Sequence, residues 1–348
     1  MSYGIGIVGT GMIARHHARA VEDLPGVRVV AAMDSDHSRA AAFAQEMNCA
    51  AYDDLQRFLA DDNVSIVAIC SPSGAHLDVA LAAARAGKHL LIEKPLEITL
   101  DRCDQIIDAA ARHGVNLGGI FQSRFFDASR VVKDAVAAGR LGRPVMGDAY
   151  VKWFRPQSYY DTGGWKGTKA LDGGGALMNQ SIHAIDLLQW YMGPVRAVQA
   201  FTGILGHERI EVEDTAVAAI EFASGAMGVI EGSTAVFPGF LKRVELSGTA
   251  GSIVLEEEEI KTWRFAEEQP EDEEIRRKYG AAGSSGGGAS DPGAISVEGH
   301  HRQYADFVAA LESGSPLELN GLEARKSVAI ILAIYESART GKRVAVPE

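Results

Sequence analysis

Apolar and polar positions follow two different rhythms along the chain. From the start to about residue 117, short apolar runs alternate with amphipathic stretches. Residues 4–8, 27–33, 65–69, 89–92 and 115–120 read as buried strands, and 12–23, 38–47, 54–60, 75–86 and 100–112 read as helices. Strands separated by helices of this length predict βαβ units on a parallel, doubly wound α/β sheet. After a linking helix at 129–138 the strands become longer: 144–154, 195–202, 214–222, 226–233 and 242–247, with a turn at Gly225. One helix, 175–191, interrupts them, which predicts a C-terminal α+β domain on a mostly antiparallel sheet. Two amphipathic helices, 300–312 and 321–339, close the sequence. The segment 267–291 fits neither rhythm, since a run of acids leads into a Gly/Ser tract at 283–288. It predicts a surface loop, with a lid as the sharper alternative.

Length and composition sharpen this picture. A chain of 348 residues exceeds what one core usually fills. Two domains follow, 1–122 and 123–348, with the last helices free to pack back on the first. A net charge of -12 argues against nucleic acid or an anionic membrane as partner. No apolar run is long enough for a transmembrane helix, and residues 3–8 lack the basic leader and cleavage site of a signal peptide. Cys49, Cys70 and Cys103 show no metal spacing, so a reduced, cytoplasmic protein is the expectation.

The first candidate site is Gly9-Thr10-Gly11-Met12-Ile13-Ala14, which follows a strand and opens a helix. Gly9 permits the tight turn, Gly11 leaves room for a pyrophosphate, and Ala14 lets the helix approach the sheet. The helix N-terminus offers free N–H groups to phosphate. Asp34 ends the second strand, placed to accept hydrogen bonds from an adenosine ribose, and it can equally cap the next helix. With Asp36 nearby, a 2′-phosphate would meet like charge, so NAD is expected over NADP.

Two further motifs carry chemistry. In Ile92-Glu93-Lys94-Pro95-Leu96, Lys94 follows a parallel strand at its carboxyl end, where ligands of such sheets sit. Pro95 holds Lys94 out of the α region. An ammonium there would stabilise negative charge on a substrate oxygen; the plainer reading is a surface salt bridge of Glu93 with a basic neighbour. In the helix after Gly173-Gly174-Gly175, Asn179, His183 and Asp186 are spaced four and three apart and share one face. No Lys, Arg or Glu lies between 173 and 192, so that polar face is expected to look into a protein cleft. His16 and His17 are explained as helix-surface residues, His300 and His301 are weaker candidates, and no cluster has metal spacing.

These residues resemble the glucose–fructose oxidoreductase / inositol 2-dehydrogenase (Gfo/Idh/MocA) family along nearly the whole chain. The carrying features are the Gly9–Ala14 turn, Ser71-Pro72 with His76, Glu93-Lys94-Pro95, and Gly173-Gly174-Gly175 with His183 and Asp186. The resemblance implies a Rossmann domain, an open-faced sheet domain, and a homodimer or homotetramer acting on a sugar or cyclitol. It implies a cofactor set of Gly9, Gly11, Met12, Ile13 and Asp34, joined by Ser71, Pro72, His76, Glu93, Lys94 and Gln122. Lys94 and His183 resemble the catalytic pair; Arg124, Tyr160, Trp165, Lys166, Asn179 and Asp186 fall on the substrate side. Many members have an aspartate where this chain has Asn179, and an amide orients a hydroxyl but does not take its proton. Proton removal therefore rests on His183, with Lys94 stabilising the alkoxide. A redox-neutral enzyme that returns its hydride, and a non-catalytic NAD-bound sensor, are the alternatives.

Overall fold

The computed structural model describes residues 2–162, 164–280 and 296–347. The chain divides into two compact units, Met1–Gln122 with Val297–Val328, and Ser123–Ser296 with Ala329–Glu348.

The first unit is built from β1 (Tyr3–Val8), α1 (Met12–Val21), β2 (Val27–Met33), α2 (His37–Met47), β3 (Ala50–Tyr52) and α3 (Leu55–Leu59). It continues through β4 (Ile66–Ile69), α4 (His76–Arg85), β5 (His89–Ile92), α5 (Leu100–His113) and β6 (Leu117–Gly119). The six strands are parallel in the order β3-β2-β1-β4-β5-β6, the doubly wound dinucleotide-binding order. β1 and β4 are buried on both faces, as continuous apolar runs require. Helix ends are set by local chemistry. The Asp36 carboxylate, not Asp34, caps α2 by accepting the N–H groups of Ser38 and Arg39. Thr99 caps α5, and Gly114 ends it in the left-handed region.

In the second unit come α6 (Asp127–Ala137), β7 (Pro144–Lys152), α7 (Gln157–Asp161), a π-helical turn (Ala176–Ser181), α8 (Ile182–Met192), β8 (Val195–Gly203), β9 (Thr215–Phe222) and β10 (Met227–Ser233). Then follow β11 (Arg243–Gly248), β12 (Gly251–Glu256), β13 (Glu259–Phe265) and α9 (Asp272–Tyr279). α10 (Glu298–Ser313), α11 (Gly321–Thr340) and β14 (Val344–Ala345) close the chain. The sheet runs β13-β12-β11-β7-β10-β9-β8-β14, antiparallel except for the β7–β10 pair. One face packs under α8, and β9 alternates buried and exposed positions accordingly.

α10 belongs to the first unit, where Tyr304 and Phe307 join the core of Ile5, Ile7, Ala18 and Ile66. Within 267–291, α9 replaces the expected loop over Asp272–Tyr279; its acidic first turn and basic last turn suit the helix dipole. Residues 281–291, and with them the lid question, lie outside the described residues. Among the described residues, no helix is long and apolar enough to cross a membrane.

Candidate active site

The phosphate turn of the first unit is built as the glycines require. Gly9 has φ +88°, and a Cβ there would lie 2.7 Å from the Ser71 amide nitrogen, so only glycine fits between β1 and the chain leaving β4. Above Gly11 there is open space, and the first turn of α1 has no side-chain cap, which leaves its N–H groups to a ligand. Met12 is exposed and Ile13 half-buried beside this opening. Asp34 is buried, and its Oδ2 accepts the Thr10 N–H (3.0 Å) and hydroxyl (2.8 Å), while its Oδ1 accepts the Asp36 N–H (3.0 Å) and Arg39 (2.7 Å). Burial alone would raise its pKa, but those hydrogen bonds outweigh burial and hold it below the ordinary value. A carboxylate thus stands at the end of β2, where a dinucleotide's ribose diol is recognised. Ser71 Oγ and Gln122 Oε1, at the ends of β4 and β6, are buried polar atoms without a hydrogen-bond partner. The glycine cradle and these acceptors fit a dinucleotide.

Two of the expected cofactor residues, His76 and Glu93, make hydrogen bonds within the protein. His76 is fully buried, with Nδ1 3.1 Å from the Pro95 carbonyl oxygen and Nε2 3.0 Å from that of Ser71. It ties the loop after β5 to the loop after β4. Glu93 is also buried, which excludes the surface salt bridge. Its Oε1 lies 2.9 Å from His17 Nε2 and 3.6 Å from His300 Nε2, and its Oε2 accepts the Lys94 N–H at 3.1 Å. His17 in turn meets the Tyr304 hydroxyl at 2.7 Å. Burial opposes a charge on Glu93, yet the two imidazoles outweigh it and hold the carboxyl well below its usual value. His17 is therefore not a helix-surface residue, and His300 belongs to the same cluster. The trio's nitrogen and oxygen atoms lie within 4.8 Å of one another and could ligate a cation, though the His17–Glu93 contact is already a hydrogen bond. Lys94 itself is half-buried, and its bond to Pro95 is cis.

In the second unit the glycine run places the helix that carries His183. A Cβ on Gly175 would lie 1.7 Å from the Glu213 carbonyl oxygen. That carboxylate accepts the Gly175 and Leu177 N–H groups and the Tyr335 hydroxyl, each at 2.9 Å. Burial pushes Glu213 up to about 7, against the pull of those hydrogen bonds. The π-helical turn follows, in which the Ser181 hydroxyl bonds back to the Ala176 carbonyl, and α8 continues it.

From 174 to 192 only Asn179 and His183 are not buried. Asp186, expected beside them, is fully buried and grips Arg124 with two 2.7 Å hydrogen bonds. Arg124 is itself 1% exposed and lies 5.2 Å from the Trp190 ring. Each fixes the other. Tyr160 is buried, with its hydroxyl 2.8 Å from Thr234 Oγ1 and its ring against His207. Its neighbour Tyr159 is half-buried, with its hydroxyl 3.3 Å from Gln180 Nε2. Trp165 and Lys166 are half-buried. Asp172, to which the sequence reading gave no role, accepts Asn179 Nδ2 at 2.7 Å and the Gly167 N–H at 2.8 Å. Its place in Asp172-Gly173-Gly174-Gly175 was the available signal.

A Rossmann sheet with this turn and this acid is the scaffold of an NAD-dependent oxidoreductase. Residues 3–120 match the oxidoreductase family with an NAD-binding Rossmann fold, and 129–254 match the GFO/IDH/MocA C-terminal domain. The chain belongs to the Gfo/Idh/MocA family. It is 31% identical to 1,5-anhydro-D-fructose reductase from Ensifer adhaerens over 255 residues, 72% of this chain and 74% of the relative. It is 26% identical to myo-inositol 2-dehydrogenase from Thermotoga maritima, over 99% and 98% of the two chains. The crystal structure of the WlbA dehydrogenase from Bordetella pertussis, in complex with NADH and UDP-GlcNAcA, superposes with a TM-score of 0.90 at 32% identity, covering 100% of this chain and 98% of that one.

Proposed function

We propose that this NAD-dependent oxidoreductase interconverts a carbinol and a carbonyl on a sugar, sugar-derivative or cyclitol ring. The observation that carries the reading is the opening of one mostly buried helix at Asn179 and His183 alone. His183 acts as general base on the reacting hydroxyl. With Asn179 Nδ2 held on Asp172, the amide oxygen is turned the other way, where it orients a substrate hydroxyl. Lys94 stabilises the alkoxide as it develops. Gly9, Gly11, Met12 and Ile13 receive the pyrophosphate, Asp34 the ribose, and Ser71, Pro72 and Gln122 the remainder of the dinucleotide. When bound, NAD supplies the hydride acceptor. The reading includes a reducing, cytoplasmic setting, in keeping with three free cysteines. It also includes self-association through the sheet face that exposes Phe201, Val217 and Met227.

Absorbance at 340 nm with NAD and a panel of sugars, inositols and sugar acids tests the reading. Steady, substrate-dependent NADH formation is expected. His183→Ala should lower turnover by about 10²–10⁴-fold while NAD affinity holds. Unchanged turnover would remove His183 from its role; substrate consumption without NADH would favour the redox-neutral alternative.

A further inference from the structure

Within the second unit, the turn before Asp172 holds a cation in an unusual setting. Lys166 is half-buried, and its Nζ lies 3.8 Å from the centre of the Tyr159 ring. Among the described residues no carboxylate is within ion-pairing distance of it. The nearby acid, Asp172, is engaged through both oxygens, one on Asn179 and one on the Gly167 N–H. Burial depresses the Lys166 pKa; the charge of Asp172 opposes that shift and the charge of Arg155 adds to it. A surface lysine would extend into water; this one lies on an aromatic face, its stem covered and its charge outside any ion pair among the described residues.

The ammonium is also joined to the helix that carries His183. Tyr159, beneath it, meets Gln180, the neighbour of Asn179. Gly167, next to it, is fixed by the same Asp172 carboxylate that orients Asn179. Trp153 Nε1 is a buried donor without a partner in the strand segment leading into this region. Gln180 Oε1 is a buried acceptor without a partner in the same cluster, so polar groups of both kinds are open to a ligand around Tyr159, and Lys166 is the cation among them.

We infer that Lys166 receives a carboxylate on the sugar substrate, so that the enzyme selects acidic sugars over their neutral counterparts. The inference rests on the dehydrogenase reading above and narrows its substrate class. A lysine is a compact point charge, suited to one carboxylate oxygen without demanding a bidentate fit. A charge-assisted hydrogen bond of this kind supports a preference of about 10–100-fold.

The test uses matched pairs that differ only in the acid: UDP-N-acetylglucosaminuronic acid against UDP-N-acetylglucosamine, and glucuronate against glucose. Binding to the NADH-loaded enzyme is measured by calorimetry, and turnover with NAD separately at 340 nm. The acid should bind about 10–100-fold more tightly than its partner in at least one pair. Lys166→Met, which keeps the apolar stem over Tyr159, should erase that ratio, and Lys166→Arg should restore part of it. The urea midpoint and NAD affinity of Lys166→Met confirm that it folds. Equal binding of acid and neutral sugar, no binding of either acid, or an advantage that survives Lys166→Met overturns the inference. Oxidation of neutral sugars with no acid preference overturns it while the dehydrogenase reading stands. Lys166-dependent acid binding without any NADH formation upholds it and removes the dehydrogenase reading instead.

Discussion

Asp186→Asn is the substitution that best separates the structure from the helical-wheel reading of the sequence. Asp186 and Arg124 exchange two 2.7 Å hydrogen bonds at side-chain exposures of 0% and 1%, with Trp190 over the guanidinium. Both charges are desolvated, so the amide leaves Arg124 without the carboxylate that compensates it. Breaking a buried pair from one side costs about 3–5 kcal/mol. Replacing both partners by apolar groups, Arg124→Met with Asp186→Leu, removes the desolvation penalty together with the attraction. The double variant should recover most of that loss. Equilibrium urea unfolding followed by tryptophan fluorescence reads the effect, with each unit's transition fitted separately because a two-unit chain need not unfold in one step. A double-mutant cycle then isolates the coupling between the two residues. If Asp186→Asn shifts stability by less than about 1 kcal/mol while kcat falls sharply, the buried-pair reasoning fails and Asp186 faces substrate after all.

Two other expectations follow from the second unit. Glu213 carries a folded pKa of about 7 against 4.5 when exposed, so the native state keeps a proton that the unfolded chain releases. Its stabilising contribution is full below pH 4.5 and is lost as pH rises to about 7, a change of about 3 kcal/mol at about 1.4 kcal/mol per unit; stability–pH curves of the wild type and Glu213→Gln should diverge over that window, and parallel curves would contradict it. Phe201, 80% exposed opposite Val217, should anchor self-association, so light scattering should report an oligomer that Phe201→Glu weakens; a monomeric wild type would end that proposal.

The parts of the fold that repeat a period over many residues were legible in the sequence. β2 and β5 begin and end where expected, since buried parallel strands are mostly apolar; Arg28 within β2 and His89 at the start of β5 are the polar exceptions. β3, β12, β13 and β14 were missed. β3 and β14 are edge strands of three and two residues, and β12–β13 is a hairpin whose glutamates mask the alternation. Of the candidate site, the features that stand out in the sequence are contiguous motifs: the Gly9 turn, Lys94 before Pro95, and His183 behind the glycines. Contacts between distant positions do not stand out, as with His17–Glu93–His300 or Glu213–Tyr335. Spacing also put Asp186 on the open face with Asn179 and His183, but an apolar surround does not say which polar side chain finds a buried partner. The π-helical turn shifts the register between Asn179 and α8 as well.

Asp172 has a consequence for anyone who would redesign this enzyme. One carboxylate tethers both the Lys166 turn and the Asn179 amide, so on the proposed reading what the protein accepts and how it aligns the reacting group form a single inherited module. Grafting the 157–172 segment from a relative with another substrate would import a new recognition surface and detune the alignment at the same stroke. Residues 172 and 179 have to travel together, and specificity here should change in jumps rather than by gradual drift.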